Sequence, residues 1–181
     1  SALQAFQQSL KLQLDIDNKS GIANSYNLIG VIRKEQEEYD DALKYYKQSL
    51  EMYESILDSH GLAKAYNNIG EVYYRLEEYN TALDYHQQCL DYNRKLNNAE
   101  NSASIALANI GRDYLELKDY EKALDALYES LEIRMSIGDE YPISNSLIRI
   151  ADTYFAMQEY AKAEENAVKS LAYAKQAGVV V

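Results

Sequence analysis

The chain has 181 residues, 47% of them hydrophobic and 26% charged, enough apolar material to bury a core. Seven glycines and one proline argue against a β-rich or linker-rich chain, and no run of 18 apolar residues offers a membrane span. With 18 basic against 29 acidic residues the formal charge is −11, which repels nucleic acid and anionic membranes.

The opening stretch, "ALQAFQQSL", places Ala2, Phe6 and Leu10 at helical spacing and predicts one amphipathic helix over 1–16. Ser1-Ala2-Leu3 has neither an initiator Met nor a signal-peptide layout, so the start reads as a cut inside a longer protein. A polar break, "DNKSG" at 17–21, follows. Four helix pairs then run over 21–57, 61–97, 102–137 and 142–177, separated by "DSHG" 58–61, "NNAEN" 97–101 and "GDEYP" 138–142. In the second pair Tyr66, Ile69, Gly70 and Tyr73 fall at i, i+3, i+4 and i+7, one face of a helix. Ala82, Leu83, His86, Cys89 and Leu90 give its partner helix the same kind of stripe. The chain predicts nine helices: a half-unit and four pairs, in one array over 1–181.

These pairs echo one another. "EEYDDAL" at 37–43 recurs as "EEYNTAL" 77–83, "KDYEKAL" 118–124 and "QEYAKAE" 158–164. Tyr39, Tyr79, Tyr120 and Tyr160 are preceded at nine residues by Gly30, Gly70, Gly111 and Ala151, and followed at three by Ala42, Ala82, Ala123 and Ala163. Leu50, Leu90, Leu131 and Leu171 close the units. A glycine inside a helix costs roughly 0.5–1 kcal/mol against alanine. Here it is expected to let the second helix approach, with the alanine facing it and the tyrosine filling the wedge at the turn. Neighbouring pairs then bury one another's apolar faces.

Residues that carry chemistry elsewhere read as structural here. His86 stands at a packing position and His60 in a turn, and two such histidines make no zinc site without further ligands. Cys89 takes a slot held elsewhere by Ser9, Ser49, Ser130 and Ser170, and no base accompanies it as a nucleophile. As the lone cysteine it excludes an intrachain disulfide and fits a reducing, cytoplasmic setting. The pairs Glu37-Glu38 and Glu164-Glu165 read as solvated helix ends. The glycines are too far apart for a phosphate loop. No catalytic residue, metal ligand or cofactor is expected.

The recurring set Ile69-Gly70, Tyr73, Tyr79, Ala82 and His86 resembles the tetratricopeptide repeat signature, L-G-x-x-Y followed by A-x-x-x-F. Equivalent sets are Ile29-Gly30, Tyr39, Ala42, Tyr46; Ile110-Gly111, Tyr114, Tyr120, Ala123, Leu127; and Ile150-Ala151, Tyr154, Tyr160, Ala163, Ala167. Departures are Tyr26, Tyr66, Leu107 and Leu147 in place of the early Trp, Arg33 in place of the first helical Tyr, and no closing Pro. The period of about 40 rather than 34 residues is similar to that of Pins/LGN-type polarity adaptors and of sensor regions in bacterial kinases, cyclases and transcription regulators. The resemblance implies an all-α, right-handed superhelical solenoid whose first helices line a concave, peptide-binding side.

On that side the wheel places Asn24, Asn27, Leu28, Val31, Lys34 and Glu35 in the first unit, and Lys64, Asn67, Asn68, Glu71, Tyr74 and Arg75 in the second. The third gives Ile105, Ala108, Asn109, Arg112, Leu115 and Glu116, and the fourth Asn145, Ile148, Arg149, Asp152, Phe155 and Ala156. Asparagine amides suit the backbone of a bound peptide, cations its carboxylates, and Tyr74, Leu115 and Phe155 its apolar side chains. The expected role is a protein–protein interaction module, with a partner peptide of some acidic character and no nucleic acid or membrane. The alternatives are a regulatory or oligomerisation sensor segment beside an enzyme or DNA-binding domain, and internal pairing of the cations with Glu35, Glu71, Glu116 and Asp152. Uncapped ends, including Val179-Val180-Val181, suggest self-association end to end or a tail in its own groove.

Overall fold

The computed structural model describes residues 2–97 and 99–179. Among them the backbone forms nine helices and no strand: α1 (Ala2–Asp15), α2 (Lys19–Glu35), α3 (Tyr39–Ser55), α4 (Ser59–Arg75), α5 (Tyr79–Lys95), α6 (Glu100–Glu116), α7 (Tyr120–Ile137), α8 (Glu140–Ala156) and α9 (Tyr160–Gln176). The expected all-α architecture of helix pairs is present. Residues up to Asn97 make one compact unit and those beyond it a second. In the first, α2 packs on α3, α4 on α5, α1 on α2 and α3 on α4; in the second, α6 packs on α7, α8 on α9 and α7 on α8.

The first helices of the four pairs start two residues ahead of their expected positions. Residues read as loop are instead caps: Asn18 accepts from the Gly21 amide at 3.2 Å, and Asp58 from those of His60 and Gly61 at 3.1 and 3.0 Å. Side-chain oxygens there satisfy amides that the first turn leaves open. Gly61 and His60 therefore sit inside the first turn of α4, with His60 exposed.

Within each pair the turn is built the same way. Glu37, Glu77, Lys118 and Gln158 have φ of 61°, 61°, 61° and 63°, in the left-handed region. Around Glu77, its own amide donates to Tyr74 O at 3.0 Å and the Glu78 amide to Tyr73 O at 2.9 Å. This crossed pair of bonds is the Schellman closure, usually built on glycine. It closes each helix and starts the next within three residues.

The glycines do admit the partner helix, but they face a different residue from the one expected. A β-carbon on Gly30 would lie 2.6 Å from the Tyr46 ring, on Gly70 2.6 Å from His86, and on Gly111 2.5 Å from Leu127. The alanines Ala42, Ala82 and Ala123 are fully buried beside these contacts. The fourth pair has Ala151 and Ala167 at the same two places, a small residue facing a small one.

A second recurring contact lies in the slot shared with Cys89. Ser49 donates to Ala23 O at 2.8 Å, Ser130 to Ser104 O at 2.7 Å, and Ser170 to Ser144 O at 2.9 Å, always 26 residues apart. These buried hydroxyls tie the two helices of a pair together, so the slot is polar rather than only small. Cys89 is also buried and accepts from Asn93 Nδ2 at 3.3 Å.

The apolar cores are local. Ala42, Tyr46, Ile69 and Val72 form one cluster, Ala23, Tyr53, Leu62 and Ala65 another, and Leu127, Leu131, Ile143, Leu147 and Ile150 a third in the second unit. Of the expected wedge tyrosines, Tyr39 packs against the Ala42, Tyr46, Ile69 and Val72 cluster. Tyr39, Tyr79 and Tyr120 are half-buried and Tyr160 is 58% exposed. Tyr79 instead rests on Tyr74 and Tyr160 on Phe155, ring centroids 5.4 and 5.5 Å apart across the turn. Leu171 is 46% exposed, because no described helix follows α9 to cover it.

Candidate functional site

In the first unit α2 and α4 lie side by side, and the predicted binding residues fall on both. Lys64 is exposed; Asn67, Asn68, Glu71 and Tyr74 are half-buried; Arg75 is exposed. Asn27 is fully buried. Its Oδ1 accepts from Asn68 Nδ2 at 2.8 Å across the two helices. It cannot reach a ligand at the surface as expected, and instead braces Asn68, which can. Asn24, on the same stripe, is held through its Oδ1 by the Tyr53 hydroxyl at 2.8 Å.

Two cations of this face, Arg75 and Lys34, have partners on their own helices. Arg75 Nε meets Glu71 Oε1 at 3.2 Å, a contact four residues apart that raises the guanidinium's pKa. Lys34 Nζ meets Glu35 Oε1 at 3.5 Å. Each pair has one exposed member, and surface pairs contribute about 0–1 kcal/mol, so an incoming carboxylate can replace either glutamate. Lys34, Glu35, Glu37, Tyr39 and Arg75 also enclose a small polar cavity of about 80 Å3. The ends of α2 and α4 thus bring both cations to one depression.

The second unit places its predicted residues on α6 and α8. Asn109, Arg112 and Arg149 are half-buried, Asn145 is exposed, and Phe155 is 66% exposed. Ile105 and Ile148 are 43% and 44% exposed, giving this face more apolar surface than its counterpart. Burial raises the Asp152 carboxyl, while Arg149 beside it pulls the other way.

Two features of the second unit had no counterpart in the sequence reading. Arg134 on α7 is buried, 8% exposed, with no carboxylate among its hydrogen-bond partners. It donates to Pro142 O at 3.0 Å, Ser146 Oγ at 2.8 Å and Ser104 Oγ at 3.3 Å, linking α7 to α6 and α8. Burial depresses its pKa, and Arg149 adds to the effect while Asp139 opposes it. The second feature is a cavity of about 550 Å3 between α7 and α9. Neither an isolated arginine nor a three-helix trough leaves a motif in a linear pattern.

Among the described residues no three His, Cys, Asp or Glu side chains converge as a metal site, and no helix is long and apolar enough to cross a membrane. His86 is fully buried against Gly70, as its packing position implied. Burial pushes the Cys89 thiol up to about 12. Val180 and Val181 of the tail proposed for self-association lie outside the described residues. At the other end Leu12 and Leu14 of α1, and Ile16 just beyond it, are between 51% and 69% exposed.

A family model described as tetratricopeptide repeat matches residues 1–55 and 61–136. No curated protein matches the chain significantly. Solved structures with this fold include a signal-transduction ATPase with numerous domains and a tetratricopeptide repeat sensor from Pyrococcus horikoshii, with a TM-score of 0.81 and 23% identity over 93% of this chain and 27% of that one. Tetratricopeptide-like repeats of a Podosopora anserina kinesin light chain align with a TM-score of 0.79 and 14% identity, covering 99% of this chain and 88% of theirs. A Rap protein complexed with competence and sporulation factor gives 0.74 and 21%, over 88% and 44%.

Proposed function

Because the chain belongs to the tetratricopeptide repeat family, we propose that it is a protein-interaction module that takes up a peptide segment of a partner on its first-helix faces. In the first unit Asn67, Asn68 and Lys64 offer amides and a cation to an extended backbone, with Tyr74 beside Arg75 for an apolar and an acidic side chain. In the second, Asn109, Arg112, Asn145, Arg149 and Phe155 repeat that chemistry.

The observation carrying this reading is Arg75. Its guanidinium is exposed, held by Glu71 on its own helix, and shares a polar depression with Lys34. An arginine so placed exchanges one carboxylate for another at little cost, and does so bidentately. The reading assigns no catalytic step and sets the module in the cytoplasm, within a larger signalling or scaffold protein, in the manner of a polarity adaptor or a bacterial sensor region. The sensor setting draws support from two proteins of similar fold, a Rap protein complexed with competence and sporulation factor and a signal-transduction ATPase with a tetratricopeptide repeat sensor.

The test is fluorescence anisotropy of the whole chain against an array of acidic peptides over a salt titration. Capture is expected to weaken as salt rises and to vanish when Arg75, Arg112 and Arg149 are changed to Glu, with helicity unchanged. Salt-insensitive capture, or capture surviving the triple change, would discard these faces.

A further inference from the structure

The trough between α7 and α9, floored by α8, holds a cavity of about 550 Å3, a volume suited to ligand recognition. Its counterpart in the first unit lies between α3 and α5 over α4. The two are aligned by a shift of 81 residues, which carries Tyr39 to Tyr120 and Tyr79 to Tyr160. By that shift Tyr66, Tyr73, Tyr85 and Tyr92 correspond to Leu147, Tyr154, Asn166 and Tyr173, all four of which line the cavity.

In the first unit those four tyrosines form a continuous stack. Tyr92 lies on Tyr66 at 5.6 Å, Tyr66 meets Tyr85 at 6.2 Å, and Tyr85 lies on Tyr73 at 5.4 Å between ring centroids. In the second unit the two middle members are replaced by Leu147 and Asn166. The outer members remain as Tyr173 and Tyr154. The cavity stands where two aromatic rings are missing from an otherwise repeated stack.

We propose that this trough binds an aromatic side chain on an exposed segment of a protein partner, its ring filling the gap between Tyr154 and Tyr173. This site is separate from the first-helix faces and does not depend on them. Ile143 and Leu147, 3% and 4% exposed, give it an apolar floor. Asn166, 7% exposed, spends its Nδ2 on Lys162 O at 2.8 Å. Its Oδ1 is the acceptor for a phenol O–H or an indole N–H, which favours tyrosine or tryptophan over phenylalanine. Met135, 54% exposed, adds a polarizable sulfur at the mouth.

The rim argues for a peptide-borne ring over a free molecule. Lys162, Lys169 and Glu165 border the apolar centre, the arrangement of a protein docking site with a polar rim. Lys162 is paired with Glu159 at 2.5 Å and Lys169 with Glu165 at 2.6 Å. Lys162 also lies over Tyr154, 5.1 Å from its centroid. It is an exposed side chain on a flexible stem, so an arriving ring can displace it.

The chain has no tryptophan, so indole fluorescence reports the probe alone. The whole chain is titrated with N-acetyltryptophanamide and with a tryptophan-centred pentapeptide. Both are expected to saturate, the peptide about fivefold tighter because its flanks meet the rim. Leu147→Tyr with Asn166→Tyr, which rebuilds the stack of the first unit, is expected to weaken both by about tenfold or more with helicity retained. If that double variant fails to fold, Met135→Glu on the exposed mouth takes its place with the same expected direction. A signal that never saturates, or binding unchanged in the folded variant, overturns the site. Equal affinity for amide and peptide overturns the partner segment as its occupant.

Discussion

Gly70 and His86 exclude one another's side chains: a β-carbon on Gly70 would stand 2.6 Å from His86 Cδ2. The imidazole is fully buried, so its close-packed neighbours must give before it can move. Gly70→Ala therefore overpacks the α4–α5 contact and is expected to cost about 1–3 kcal/mol despite alanine's better helix propensity. Gly70→Ala with His86→Ala copies the Ala151 and Ala167 pair of the fourth repeat. It should show a coupling of at least about 1 kcal/mol in urea denaturation. Strict additivity would mean that the two side chains do not compete for this space.

Arg134 joins three helices through three acceptors. Arg134→Lys keeps the charge but loses the planar fork, and is expected to destabilise the chain by about 2 kcal/mol. Thermal unfolding followed by circular dichroism measures this. A loss confined to Arg134→Ala, with lysine equal to arginine, would show that charge alone mattered.

Leu57 is 87% exposed and holds φ at 55°. A leucine in the left-handed region is strained by roughly 1–2 kcal/mol, and little packing is at stake. Leu57→Gly is expected to raise stability by about 0.5 kcal/mol once glycine's greater unfolded entropy is subtracted. A lowered melting temperature would show that the leucine makes a contact worth more than its strain.

Burial raises the Cys89 thiol from 9.0 to about 12. The folded state thus holds its proton more tightly than the unfolded one. Its contribution to stability is complete below about pH 9 and is lost as pH climbs toward 12. At pH 8 the folded thiol should resist alkylation, with labelling that follows unfolding and accelerates as urea is added. Rapid labelling of the native chain would contradict its burial.

Most of the architecture was legible because a helix period and a 40-residue echo are both linear signals, and Tyr39, Tyr79, Tyr120 and Tyr160 carry both. Helix starts were misplaced where Asn18 and Asp58 resemble loop residues and act as caps. The turns at Glu37 and Glu77 were opaque because their left-handed residues are not glycine. Site residues fared unevenly for a related reason. A helical wheel gives direction but not depth, so Asn27 and Asn68 looked alike although one is fully buried and the other braced upon it. The α7–α9 trough depends on what Leu147 and Asn166 are not, which emerges only when they are set beside Tyr66 and Tyr85.

The recurring hairpin tips carry Glu37, Glu77, Lys118 and Gln158 at one backbone angle, with two main-chain bonds closing each. Their shape is thereby uncoupled from their chemistry. Each tip is a position where charge can be reversed or erased by a single codon while the hairpin beneath keeps its form. Such tips give mutation a cheap dial for tuning whatever meets them.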